Sequence, residues 1–507
     1  MRYRANIAPG VTTINLDSIN ATTTGVSNHF ELRNDGAGLT HNLAVNFSSG
    51  TLTTTTPGAN LLHTRNSGYG ENNITVAALL TGGGIRHQMN LPDNNSAGLV
   101  EVTAAGIVDS MRTGIWVRDQ SIGPSTINVN GRVLSETSRA IHLSNNNVSD
   151  TTLTQVNIAA AGVVSSNNQG VYVGNRGGGP VQVVVAGSVQ GGVEGYPDNV
   201  FSDYSAGVVM DASAGDATLV IQSSGSVSSI NDLAVVDNRF SAGSAGGVTF
   251  IENAGEITGY LLLGENDTAQ ANSDILNNTG SLLLRDFSDD DHNGVRETEN
   301  TALIDFGDGI DSFSNSGDLI LAHVISATTP GIEAGELVNL ERFDAGGVIS
   351  LCDTDGGGSV AVAGDTLFIS GTTTTDSARL CLDVQLGDEN SPADVLTLED
   401  VTTGTGPILL DITNASGTGA LTSGNGILVV RISGSSPADA FGMVPVTVNG
   451  FVYNLVQADG QNWYLQNHQQ MPAYQNSNAE SIPVLPLPIY MLLVILLAMV
   501  GVRRLQI

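Results

Sequence analysis

Short valine-rich runs alternate with polar or glycine-rich corners along this chain, and Gly162–Ala186 (GVVSSNNQGVYVGNRGGGPVQVVVA) shows the pattern at its clearest. The runs are Val163–Val164, Val171–Val173 and Val181–Val185, divided by corners at Asn167–Gly170 and Gly174–Pro180. Val171 and Val173 share one face of an extended strand, as do Val181, Val183 and Val185, because strand side chains alternate with period two. One such unit cannot bury its apolar edge alone and needs copies of itself above and below.

The copies are present. A glycine followed by a strand recurs at Gly106, Gly131, Gly162, Gly187, Gly225, Gly255 and Gly280, at spacings of 25, 31, 25, 38, 30 and 25. A middle strand follows in each: Gly114–Val117, Ala140–Leu143, Gly170–Val173, Gly207–Met210 and Gly247–Phe250. A third strand comes next, as in Thr126–Val129, Thr154–Ile158 and Thr218–Ile221. Glycine at each coil entry is expected because corners call for positive φ. Three strands per coil, stacked in register, predict an all-β fold, a parallel β-helix. The competing reading, an array of hairpin sandwiches, calls for Asn-Gly or Asp-Gly turns, which are scarce. A disordered low-complexity chain is disfavoured by the 41% hydrophobic share.

The organisation expected is weakly patterned rungs over 1–105, regular repeats over 106–285, an acidic insertion at 286–300 and further rungs over 301–363. A β-helix cap over 364–466, a linker at 467–481 and a C-terminal apolar segment at 482–507 complete it.

The 507 residues carry a net charge of −32, from 50 acidic and 18 basic side chains. Such a chain repels phosphate backbones and anionic headgroups, so nucleic acid is excluded as an expected partner. Cys352 and Cys381 stand 29 positions apart, near one coil. They either form a disulfide or remain free, since spacing alone does not fix the Cα separation.

The N-terminus, MRYRANIAPG, has no apolar stretch behind its charge and is not a secretory signal. The other end, Ser481–Ile507, has a proline-rich entry, an apolar run from Ile489 to Val502, and Arg503–Arg504. It predicts a single hydrophobic helix able to enter a membrane, with the arginines cytoplasmic. With Ile482-Pro483-Val484-Leu485 before that helix, the tail resembles a bacterial C-terminal sorting signal of the IPTL or PEP type. The resemblance implies a Gram-negative envelope protein recognised by a membrane sorting protease, and an export signal upstream of the recorded start.

A second resemblance begins at Gly364. Gly364-Asp-Thr-Leu367, Leu386-Gly-Asp-Glu-Asn-Ser-Pro-Ala-Asp-Val-Leu396, Gly424-Asn-Gly-Ile-Leu-Val-Val430 and Trp463-Tyr464-Leu465 are similar, in that order, to the autochaperone segment of pertactin-like autotransporter passengers. This implies a right-handed β-helix. The outer-membrane barrel of that family is not expected to follow, the sorting-like tail being read in its place.

Candidate chemistry is sparse. Asp289, Asp291 and Asn293, with Gly294 and then Glu297, match the first half of a calcium loop, with oxygen ligands at alternate positions and a glycine for the turn. The twelfth position is Asn300 rather than an acid, so a solvated acidic loop is the alternative. Gly307–Phe313 fits one unrepeated copy of a calcium-roll motif and equally an ordinary corner. The eight histidines are scattered, and neither a nucleophile elbow nor HExxH is present. Near the clear rungs the basic residues are Arg112, Arg118, Arg132, Arg139 and Arg176. Asp109 and Asp119 lie close to Arg118 in sequence, too little to define a catalytic site.

The expected role is a non-enzymatic cell-surface or extracellular passenger, structural or adhesive, meeting a host or matrix surface or a polysaccharide. No cofactor is expected, with Ca²⁺ possible. A β-helical carbohydrate-active enzyme and a Ca²⁺-dependent self-association protein are the alternatives. Recognition is expected on irregular corners such as Gly191–Tyr204 or Asp286–Glu299.

Overall fold

Each coil passes through three strands, and each strand pairs in parallel with its counterpart one coil away. Val171–Asn175 lies between Ile141–Asn145 and Val208–Ala212 on what we call the first face. Val181–Val185 lies between Thr154–Ile158 and Ala217–Ile221 on the second. Val163–Ser166 lies between Arg132–Ser135 and Ser188–Gly191 on the third. The computed structural model describes residues 2–5, 10–24, 28–35, 40–192, 205–237, 247–263, 273–288, 298–322, 331–356, 358 and 360–469. Among them all helical or strand structure is β, one continuous parallel solenoid with a short hairpin beside it.

The period-two pattern packs the interior. Val171, Val173, Val181, Val183 and Val185 are fully buried, and each contributes roughly 1.5–3 kcal/mol by leaving water. Phe313 stacks on Phe343 of the next coil, ring centroids 5.1 Å apart. Buried asparagines form polar ladders between coils: Asn253 donates to Asn278 and Asn278 to Asn315, both at 2.7 Å. The same stacking already holds in the Thr/Asn-rich N-terminal rungs, where Gly10–Leu16 pairs with His41–Phe47 and that strand with Asn72–Val76.

Two expectations need correction. The coil-entry glycines do not have positive φ; they are there because successive coils touch. A Cβ on Gly187 would lie 2.1 Å from the Gly162 carbonyl oxygen, and one on Gly255 2.2 Å from that of Gly225. Gly247–Phe250 also does not lead a first-face strand. Thr249–Asn253 pairs with Ala217–Ile221 on the second face, and the first-face partner of Val208–Met210 is Val235–Asp237. Ser226–Asp237 carries straight round the corner from the third face, turning at Asp232, whose φ is +61°.

At the acidic insertion Phe287–Ser288 pairs antiparallel with Thr298–Glu299. Toward the C-terminus the strands lengthen, and Thr366–Asp376 and Val395–Gly406 each cross two faces. Cys352 and Cys381 are joined by a disulfide between neighbouring coils, with Cα atoms 5.5 Å apart. An antiparallel sheet then covers the open end of the stack: Val446–Val448, Phe451–Gln457 and Trp463–Gln469, the last returning along Ile427–Val430. Tyr453, fully buried, donates to the Gly387 carbonyl at 2.9 Å. The helix expected over 482–507 lies outside the described residues. Among those described, no helix is long and apolar enough to cross a membrane.

Candidate functional site: an arginine–aromatic groove

On the first face the alternation that turns Ile115, Val117, Ile141, Leu143, Val171 and Val173 inward leaves the residues between them on the outer side. Parallel register sets these in rows. Arg86, Trp116, His142 and Tyr172 follow one another in the first row, and Gln88, Arg118, Ser144, Gly174 and Asp211 in the second. One coil earlier His63 precedes Arg86, and Arg65 precedes Gln88. With corner residues Arg112, Arg139 and Arg176, the first row and the second from Arg118 onward line a groove of about 860 Å³; Gln88, His63 and Arg65 lie on the same face outside that lining.

The rings form a stack. Trp116 and His142 have centroids 6.0 Å apart, and His142 and Tyr172 4.9 Å. The Arg86 guanidinium sits 4.4 Å over Trp116 and that of Arg139 4.5 Å over Tyr172. Each such cation–ring contact contributes about 0.5–2 kcal/mol. The Tyr172 hydroxyl donates to Asp211 Oδ2 at 2.6 Å. Gly174 makes room for this bond, since a Cβ there would lie 3.1 Å from the Tyr172 oxygen. Beneath the groove, Asn145 and Asn175 both donate to Asp150 Oδ2, at 2.9 and 2.8 Å, and tie the ends of their strands.

Protonation follows from these contacts. Arg139 donates to His142 Nδ1 at 2.6 Å, so a neutral His142 carries its proton on Nε2 and presents a donor. Burial, and then the Arg139 charge, holds its basicity well below the usual imidazole value. Burial, and then the Asp211 charge, pushes the Tyr172 phenol well above its ordinary value. The stacked rings therefore offer hydrogen-bond donors and flat surfaces, and neither His142 nor Tyr172 is poised to accept a proton near neutral pH.

The groove also inverts the charge of the molecule. The chain has no lysine, so its 18 basic residues are all arginine. Five of them line the groove, beside one acid, Asp211. Among the described residues Arg65, Arg86, Arg112 and Arg118 have no carboxylate partner.

Of the arginines singled out in the sequence, the fold brings Arg112, Arg118, Arg139 and Arg176 together. Arg132 stays apart on the third face, paired with Val163. Asp109 is on the third face too. Asp119 is buried, its carboxylate accepting from the Ser121 N–H at 2.7 Å and from Ser125. Neither acid joins Arg118, and the site comes from coil stacking instead. Sequence reasoning missed Arg86, Trp116, His142, Tyr172 and Asp211. A signal was present: Ile115-Trp-Val117, Ile141-His-Leu143 and Val171-Tyr-Val173 each place a ring between two apolar residues.

Asp289, Asp291, Asn293 and Glu297 lie outside the described residues, as do most of the Gly191–Tyr204 corner and Ile482, Pro483, Arg503 and Arg504. Asp311 of the calcium-roll-like stretch is buried, and its Oδ1 accepts from the Asp274 N–H at 2.6 Å, a link between coils. Among the described residues no group of three or more His, Cys, Asp or Glu is arranged to hold a metal ion.

Residues 351–455 match the family model Autochaperone Domain Type 1. The chain is also similar to "Uncharacterized protein YdeU" of Escherichia coli (strain K12), 33% identical over 107 residues. That stretch is 20% of this chain and 22% of the relative, so the chain spans under a quarter of the length of the curated relative it matches.

Proposed function

We propose that this chain is a Gram-negative surface passenger of the autotransporter type, with an adhesive or structural, non-enzymatic role exercised through the lateral groove. The observation that carries this reading is an arginine- and ring-lined groove on a solenoid whose terminal coils match the autochaperone family. Stacked coils give a long, stiff lateral surface, and the groove keeps its rows at strand spacing without support from loops.

Binding rather than turnover is supported by the protonation pattern. A carbohydrate-active β-helix would need a proton acceptor beside its substrate. His142 Nδ1 is taken by Arg139, and Asp211, the one carboxylate lining the groove, already accepts from the Tyr172 hydroxyl. The proposed partners are a host or matrix surface or a polysaccharide, with nucleic acid disfavoured by the charge of −32. A membrane engaged through 482–507, a sorting protease acting at Ile482-Pro483, and Ca²⁺ on Asp289, Asp291, Asn293 and Glu297 belong to the same proposal.

The test is adhesion of cells displaying the full chain, against Trp116→Ala and Arg118→Gln variants. Adhesion lost in both supports the reading, and adhesion unchanged in both overturns it. Depolymerisation of a polysaccharide by purified protein, abolished by His142→Ala, would overturn the non-enzymatic assignment.

A further inference from the structure

We propose that the groove holds an extended acidic polysaccharide lying along the solenoid axis, its carboxylate or sulfate groups paired with Arg118 and Arg112 in the groove and with Arg65 on the same face beyond its lining, and its sugar rings against Trp116 and His142. The proposal rests on the binding reading above and names the ligand class.

The first argument is unbalanced charge. Arg65, Arg86 and Arg118 occupy successive coils of one face. They stand close enough that Arg65 and Arg118 each make the Arg86 cation less favourable, after burial has done so first. Guanidinium Nε atoms of Arg65 and Arg86 are buried without a hydrogen-bond acceptor. An acidic group in the groove would relieve the repulsion and meet the planar guanidinium fork in a two-point contact.

The second argument is spacing. In the second row Arg65 and Arg118 stand two rungs apart, about 10 Å at strand spacing. An extended glycan that is acidic along its length, such as polygalacturonate or dextran sulfate, has anionic groups to meet both. A nucleic-acid duplex presents one about every 1.7 Å of its axis, and its excess phosphates would meet a protein of net charge −32.

The third argument is the neutral lining. Gln120 and Asn146 line the groove, and their side-chain amides make no hydrogen bond to the described residues. Amides beside the partly exposed Trp116 and His142 rings suit hydroxyl-rich sugars, which pack through C–H edges and offer both donors and acceptors. Neutral His142 adds its Nε2–H.

The experiment is titration of the purified full chain with polygalacturonate oligomers, dextran sulfate, neutral dextran and a 20-nucleotide oligothymidylate. Tryptophan fluorescence reports binding, because Trp116 is half-exposed in the groove while Trp463 is buried in the cap. Expected are saturable quenching by at least one of the two acidic glycans, binding at least tenfold weaker for neutral dextran and oligothymidylate, and weakening as salt rises. The two acidic glycans separate carboxylate from sulfate as the anion recognised. Arg118→Gln, at an exposed position, should weaken binding at least tenfold, and Arg132→Gln on the third face should leave it unchanged.

Equal binding of neutral dextran or oligothymidylate overturns the proposal, as does an Arg118→Gln variant that binds like the parent. If neither acidic glycan binds while Trp116→Ala and Arg118→Gln still abolish cell adhesion, the ligand class is wrong and the binding surface stands. If adhesion is also untouched, both readings fall.

Discussion

The disulfide gives the most direct energetic test of the capped end. Cys352 and Cys381 are 29 positions apart, so the bridge closes a loop of about 30 residues, for which the chain-entropy relation gives roughly 3–4 kcal/mol at 25 °C. Both half-cystines are buried, and the Leu351 N–H donates to the Cys381 carbonyl at 3.0 Å, so the strands stay paired without the bridge. The perturbation is the double variant Cys352→Ala with Cys381→Ala. Because coils can unfold in blocks, the assay needs a local probe. Trp463 lies in the terminal sheet, its ring 5.3 Å from Phe441, and a Trp116→Phe background leaves it as the single tryptophan. At a urea dependence of about 2 kcal/mol/M, the midpoint of the Trp463 transition should fall by about 1.5–2 M. Thiol titration in denaturant should find no free thiol in the parent. A parent that is oxidised by that measure but unfolds at the same urea concentration as the variant would refute the reasoning.

Three further outcomes follow from the same packing. Asn278→Ala removes bonds to Asn315 and to the Asp318 carbonyl and the acceptor for Asn253; a loss of about 3–5 kcal/mol should appear as faster amide exchange in those coils. Gly255→Ala, whose Cβ would press on the Gly225 carbonyl, should destabilise by about 1–3 kcal/mol, whereas Gly178→Ala, with open space around it, should leave the thermal midpoint unchanged. The two ends should respond oppositely to pH. Burial raises Asp394 to about 8 and Asp383 to about 6, above the unfolded value near 3.8, so the native cap binds more protons and its stability declines as pH rises from about 4 to 8. Burial lowers His87 to about 3, below the unfolded value near 6.5, so the coils around it weaken as pH falls from about 6.5 toward 3. Each fully shifted group sets a slope of about 1.4 kcal/mol per pH unit, readable by amide exchange at pH 5 and 8.

Most of the coil was legible because one physical rule writes it: an inward position every second residue, with the same rule repeated one coil on. Val171, Val173 and Val181–Val185 obey it with no help from distant residues. Where the reading slipped, a non-local contact decided the matter. The glycines at coil entries answer to a carbonyl one coil below, which a linear reading cannot distinguish from a demand for positive φ. The misplacement of Gly247–Phe250 has a similar cause. Asp232 takes a left-handed conformation, and Ser226–Asp237 rounds a corner without the break that a glycine or proline would have marked.

The groove was hidden for the opposite reason. Its members are neighbours only across coils, and corner insertions make their sequence intervals unequal: Arg86, Trp116, His142 and Tyr172 are separated by 30, 26 and 30 residues. A search for clustered charges along the chain finds Asp109 and Asp119 near Arg118 and misses Arg86. Yet outward positions on a solenoid stand outside the main core, even where, as at Tyr172 and Val209, they pack among themselves, so what occupies them is free of the inner core's demands. An aromatic ring at the same outward position in three consecutive coils, in a chain with 5% aromatic residues, is therefore a row before it is anything else. Reading outward positions coil by coil, after register is assigned from the inward ones, would have placed Trp116, His142 and Tyr172 in one line. It would have set Arg118 beside them, and added the rungs to the irregular corners as a place to look for recognition.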